Sequence, residues 1–142
     1  MNLAWRLKMA KQRAEAFLRE NSYSTLAIDP FAIAKNLDIL VQPKSGTANG
    51  VSGMLLRHGN TFGIMYATRF HNEGFERFSV AHEIAHFLLE GHLDHVLKNG
   101  EHHSHAGFTS ADPYELEADN FAAGLLMPES LFKAALMNRV SD

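Results

Sequence analysis

The stretch that most constrains this chain is His82-Glu83-Ile84-Ala85-His86, embedded in the small and apolar residues Val80, Ala81, Phe87, Leu88 and Leu89. On a helix turning about 100° per residue, positions four apart lie one above the other. The two imidazoles then reach one cation at the roughly 2.0–2.1 Å that Zn–N bonds require. Glu83 sits beside the same face, placed to take a proton from water at the metal without ligating it. A surface helix that merely collected two histidines is the plain alternative. The apolar surroundings argue against it, because buried His, Glu and His without partners cost several kcal/mol.

A catalytic zinc usually takes three protein ligands, so one more is needed. Glu115 is the first candidate: in Glu115-Leu116-Glu117-Ala118-Asp119 it shares a helix face with Asp119. Asp119 could accept the spare ring N–H of a ligating histidine. Ala118, Ala122 and Ala123 keep this second helix slim enough to approach the first closely. Against this stands a capping box, in which Glu115 would bond back to Asp112. Glu117, about 200° around the helix from Glu115, is expected to face solvent. The second candidate is His92, although glycine is absent from the position where a third-histidine pattern needs it: Leu89 stands there. Another histidine of the 92–110 stretch is the third. One of His95, His102, His103 and His105 could instead stabilise an oxyanion, with Tyr66 and Tyr114 as competitors. His103, His105, Tyr66 and Tyr114 are carried forward as candidates for that role, alongside the plainer reading of solvated loop residues.

The remaining pattern places these residues in an α+β chain. An apolar stripe of Leu3, Leu7, Ala10, Ala14, Phe17 and Leu18 predicts a helix to about Arg19, packed on the domain with a basic outer face. Asp29-Pro30 is an N-cap followed by a first-turn proline and opens a short helix. A strand follows at Ile39–Val41, stopped at Pro43, and then turn chemistry to Asn49-Gly50. Val51–Arg57 and Thr61–Tyr66 read as a hairpin. The helix bearing the histidines is expected from Asn72-Glu73 to Gly91. Residues 92–110 read as a polar surface loop. Asp112-Pro113 starts another helix to Met127, and a last one runs from Glu129 to about Asn138. The expected fold is a zincin-like single domain over residues 1–142, with a small, mainly antiparallel three-stranded sheet packed on the histidine-bearing and further helices. Thr61–Tyr66 is expected as the edge strand, able to hold an extended peptide, with Gly63 allowing close approach.

Bulk properties narrow the rest. The 142 residues contain no cysteine, which leaves only nitrogen and oxygen ligands. A net charge of −3 gives no reason to expect direct nucleic-acid binding. The N-terminus lacks a continuous apolar run and no stretch approaches membrane-span length, so a cytoplasmic protein without membrane contact is the default expectation.

Four stretches together resemble the ImmA/IrrE family of zinc metallopeptidases. They are Pro30 to Val41, Val51 to Leu55, Arg77 to His86 (RFSVAHEIAH, with Ser79 where the family has threonine) and Glu115 to Pro128 (ELEADNFAAGLLMP). The resemblance spans about residues 28 to 130 and implies one zinc ion per chain. It further implies His82, His86 and Glu115 as ligands, Glu83 as base and Asp119 behind a ligand, where asparagine is common in the family. The implied function is peptide hydrolysis directed at a helix-turn-helix transcriptional repressor in stress, phage or mobile-element regulation. No segment remains for such a regulator, so it is expected in trans. A non-catalytic zinc-containing binding module, or a toxin–antitoxin component acting on a partner regulator, is the rival expectation. Oligomeric state is left open.

Overall fold

The computed structural model describes residues 2–47, 50–105 and 111–141. Asn49 of the expected turn and residues 106–110 of the histidine-rich stretch lie outside them. The fold is α+β in the zincin-like arrangement: a four-stranded mixed sheet with helices gathered on the face that carries the core.

Local signals account for most elements. Helix α1 (Leu3–Glu20) starts where the Asn2 side chain accepts the Trp5 N–H, and α2 (Pro30–Asn36) where Asp29 accepts that of Phe31 at 2.9 Å. These caps satisfy donors that the first turn leaves free. Strand β1 (Ile39–Lys44) runs through Pro43 rather than stopping at it. Among the described residues it pairs only with β3 (Thr61–Ala67), in parallel, and an edge strand tolerates the missing N–H. Strand β2 (Gly53–His58) forms the expected hairpin with β3.

Two expectations about the sheet are corrected. The sheet has four strands rather than three, because part of the presumed loop forms β4 (Glu101–Ser104), antiparallel to β2. The strand order is β1-β3-β2-β4, so Thr61–Ala67 is central and cannot serve as the edge. The edges are β1 and β4. Gly63 lies at ordinary van der Waals distance from its neighbour: a Cβ there would stand 3.7 Å from the Leu40 carbonyl. Strand β4 escapes sequence reading because Glu101-His102-His103-Ser104 has no apolar alternation; pairing to β2, rather than side-chain pattern, makes it a strand.

Helix α3 (Glu73–Leu88) crosses the sheet behind an Asn72 cap, burying Val80, Ala81, Ile84 and Ala85. It ends earlier than Gly91, and a short helix α4 (His92–Val96) follows. Helix α5 (Pro113–Leu126), capped by Asp112, packs against both α1 and α3, and α6 (Glu129–Ser141) closes the described chain. Small residues set the α1–α5 distance. A Cβ on Gly124 would meet the Lys11 carbonyl at 3.2 Å and Ala14 Cβ at 3.3 Å. Ala10, Ala14 and Leu18 of α1 join Ala118, Phe121, Ala122 and Leu125 of α5 in one core with Leu55, Ile64 and the buried face of α3. Among the described residues, no helix is long and apolar enough to cross a membrane.

Replacing Gly124 by valine is expected to push α1 off α5 and destabilise the fold by about 1–3 kcal/mol, the usual cost of overpacking. Chemical denaturation of the two proteins measures it.

Candidate metal centre

Helix α3 turns three polar side chains into the protein: His82 and His86 are 2% and 0% exposed, and Glu83 is 0% exposed. Helix α5 brings Glu115 to meet them. Its Oε1 lies 3.2 Å from His82 Nε2 and its Oε2 lies 3.0 Å from His86 Nε2, while the two Nε2 atoms stand 3.2 Å apart. The ligand atoms of His82, His86 and Glu115 all fall within 4.8 Å of one another, and the three form a group that could hold a metal ion.

Each ring is held from behind. Asp119, one turn beyond Glu115, takes the His82 Nδ1–H at 2.8 Å. His86 Nδ1 lies 3.0 Å from His92 Nδ1, within hydrogen-bond reach. That arrangement turns both Nε2 atoms toward the Glu115 carboxylate. Three electron-rich groups packed so closely repel unless a proton or a cation lies between them. The donor set therefore fits a divalent cation, with two imidazoles and one carboxylate as for zinc.

The titration behaviour of the protein groups agrees. Burial favours the neutral His82 ring, but hydrogen bonding to Asp119 and Glu115 and the charge of Glu83 outweigh it, pushing His82 up to about 10. Burial lowers His86 to about 4, and the carboxylate of Glu115 only partly resists this. Burial alone would raise Glu115; its hydrogen bonds with His102, His82 and His86 hold it well below the carboxylate range instead. Burial pushes Glu83 up, tempered by His82 and Ser104. Apart from Ser104, no group among the described residues bonds the oxygens of Glu83. A fully buried carboxyl group with so little to bond to, beside a cluster that could hold a cation, is poised to exchange a proton. Gly53 on β2 leaves room for it, since a Cβ there would come within 3.1 Å of Glu83 Oε2.

His102 belongs to this cluster. Its Nε2 lies 3.2 Å from Glu115 Oε2, and its ring meets that of His86 edge to face at 4.9 Å. Burial lowers its basicity, but hydrogen bonding to Glu115 and the nearby carboxylates raise it overall. His103 points to the opposite side of β4, exposed and 3.4 Å from Glu101, and His105 is exposed. Tyr66 packs edge to face on Phe31 at 5.2 Å. Tyr114 stacks on His95 at 3.7 Å and lies under Arg6. Of the histidines from 92 to 105, the sequence offers no period that singles out 102. The signal is β4 itself, because strand alternation sends 102 and 104 inward and 103 outward.

His92 is buried but stands behind His86, and its second nitrogen lies 3.4 Å from Glu117 Oε1. Glu117 is not the solvent-facing residue expected: Arg6 of α1 pairs with it, leaving its side chain 16% exposed. Its angular position is as predicted. The packing of α1 over that face is what buries it.

A zincin-like α+β fold with an HExxH helix facing a carboxylate helix defines a metallopeptidase-type protein. The family described as the IrrE N-terminal-like domain (Peptidase_M78) matches residues 34–142, and the chain belongs to that family. No curated protein matches the chain.

Near neutral pH, His86 and Glu115 hold no proton for a metal to displace, whereas His82, raised to about 10, holds one. Metal uptake is expected to release about one proton per ion from His82, and apparent affinity to rise about tenfold per pH unit until the pH reaches the pKa of His82. Calorimetry in buffers of different ionisation heat measures the release; none would mean that His82 is already neutral.

Proposed function

We propose that this chain is a zinc-dependent endopeptidase acting in the cytoplasm on a helix-turn-helix regulator supplied by another chain. The observation that carries the hydrolytic reading is Glu83, fully buried with no hydrogen-bond partner beyond Ser104, beside the convergent His82, His86 and Glu115. The family membership supports a peptidase, and the family resemblance of the sequence supports the choice of regulator as substrate.

His82, His86 and Glu115 would hold the ion, and Asp119 keeps the His82 Nε2 lone pair turned inward. Zinc bound there supplies Lewis acidity that polarises a carbonyl and brings water toward neutral pKa. Glu83 takes a proton from the attacking water and hands it to the amine that leaves. Burial raises its basicity toward that task. His102 is the group best placed to donate a hydrogen bond to the substrate carbonyl oxygen as charge develops on it, a role for which His103, His105, Tyr66 and Tyr114 are less well positioned. Strand β4 is the sheet edge beside this cluster. The carbonyls of Gly100 and Ser104 accept from Arg57 of β2 and from Ser52 just before it, so the alternating backbone groups of Glu101 and His103 point outward, where an extended peptide can add as a further strand.

Purified helix-turn-helix regulators from the same genome, incubated with zinc-loaded protein and followed by mass spectrometry, test this reading. The wild type is expected to cut one of them at a single region. Glu83→Gln should lose at least about 100-fold in rate with its zinc retained. Cleavage undiminished in Glu83→Gln would remove Glu83 as base. Relief of repression by the uncleaving variant would favour a binding module instead. His102→Ala is expected to lower kcat by about 100-fold or more while leaving zinc content near one per chain.

A further inference from the structure

We propose that Arg6, Glu117 and His92 form a chain of positioning residues that fixes the ring of His86, so that helix α1 sets the affinity of the metal site. The proposal rests on His86 being a ligand, as argued above. His86 Nε2 faces Glu115, and a ligating nitrogen must offer a bare lone pair, so the ring hydrogen of His86 sits on Nδ1. The acceptor available there is His92 Nδ1 at 3.0 Å. His92 must then carry its own hydrogen on Nε2, which points to Glu117 Oε1 at 3.4 Å. Glu117 accepts it as a carboxylate and is held in place by the guanidinium of Arg6. Each choice of tautomer forces the next, and the series ends on a group that is always charged.

The backbone is arranged for this contact. After α3 stops at Leu88, Gly91 adopts φ +82°, a left-handed conformation that reverses the chain and returns the His92 ring against α3. His92 is 1% exposed, and both of its ring nitrogens are engaged. The two ligating histidines are thus supported differently. His82 leans on Asp119, a carboxylate of α5 within the matched family segment. His86 leans on a second histidine, whose support reaches Arg6 in α1, outside the matched residues 34–142.

Zinc affinity, measured by competition with a chromophoric chelator, tests the chain in the full-length protein. His92→Leu is expected to bind zinc about 10–100-fold more weakly, the usual effect of losing a residue behind a ligating histidine. His92→Gln, whose amide can accept from His86 and donate to Glu117, should recover most of the affinity. Arg6→Met should weaken binding several-fold through Glu117. The thermal midpoint of each metal-free variant is recorded alongside. A merely structural His92 would lower that midpoint without changing the affinity of the folded protein, and Gln would have nothing to rescue.

Wild-type affinity in folded His92→Leu, with Glu115→Ala unable to bind, would overturn the positioning chain and leave the metal site standing. No zinc binding by the wild type, or full binding by Glu115→Ala, would overturn the metal site and the chain with it. Should His92→Leu fail to fold, Arg6→Met decides: weakened binding supports the chain, and unchanged binding overturns it.

Discussion

A helix that buries two histidines and a glutamate on its inner side cannot be stable alone. The fold around α3 is an answer to that constraint. Removing a polar group from water without a partner costs on the order of 1–3 kcal/mol, and more when it is charged. Helix α5 supplies what α3 lacks: Glu115 between the two imidazoles and Asp119 behind one of them. The approach is possible because α5 presents Ala118 and Ala122 at its packed positions, neither of which holds a neighbouring helix away. The α3–α5 contact is therefore chemical and mechanical together. The residues that fill the core are spaced so that those holding the charge can meet.

The sheet has a comparable double use. Strand β2 carries Leu55 into the core and Gly53 against Glu83, while its partner β4 turns His102 and Ser104 toward the same region. A strand with four polar residues would have little tendency to form in isolation. It forms here because β2 offers an unpaired edge, and it is stable on its inner side because His102 finds Glu115. Among the described residues, no strand pairs with the other edge of β4, beside the proposed active centre. Helix α1, by contrast, reaches the centre only indirectly, through Arg6 and Glu117, yet its packing on α5 removes that pair from most of the solvent.

What could be read from residues alone was whatever local chemistry fixes. The caps at Asp29 and Asp112, each followed by proline, mark helix starts because an N-cap side chain and a preset φ act within three residues. The HExxH spacing gives His82, Glu83 and His86 a common side for the same reason: helical geometry is local. Glu115 with Asp119, four apart, follows equally from the turn of one helix. Pro43 misled because a proline's fitness in a strand depends on whether a neighbour needs its N–H, and only the sheet order decides that.

The sequence by itself determined that α3 turns two histidines and a glutamate to one side, and that α5 carries a carboxylate pair able to face them. Tertiary structure alone decided which remaining residues join them. His102 rather than His103 enters because β4 pairs with β2 in one register, and a shift of one residue would exchange the two. His92 stands behind His86 rather than among the convergent groups because Gly91 reverses the chain there. Glu117 is buried because α1 lies over it. The places of His102 and Glu117 depend on contacts between segments far apart in the chain, which no local pattern of side chains encodes, and that of His92 on how a short reversal packs back on α3.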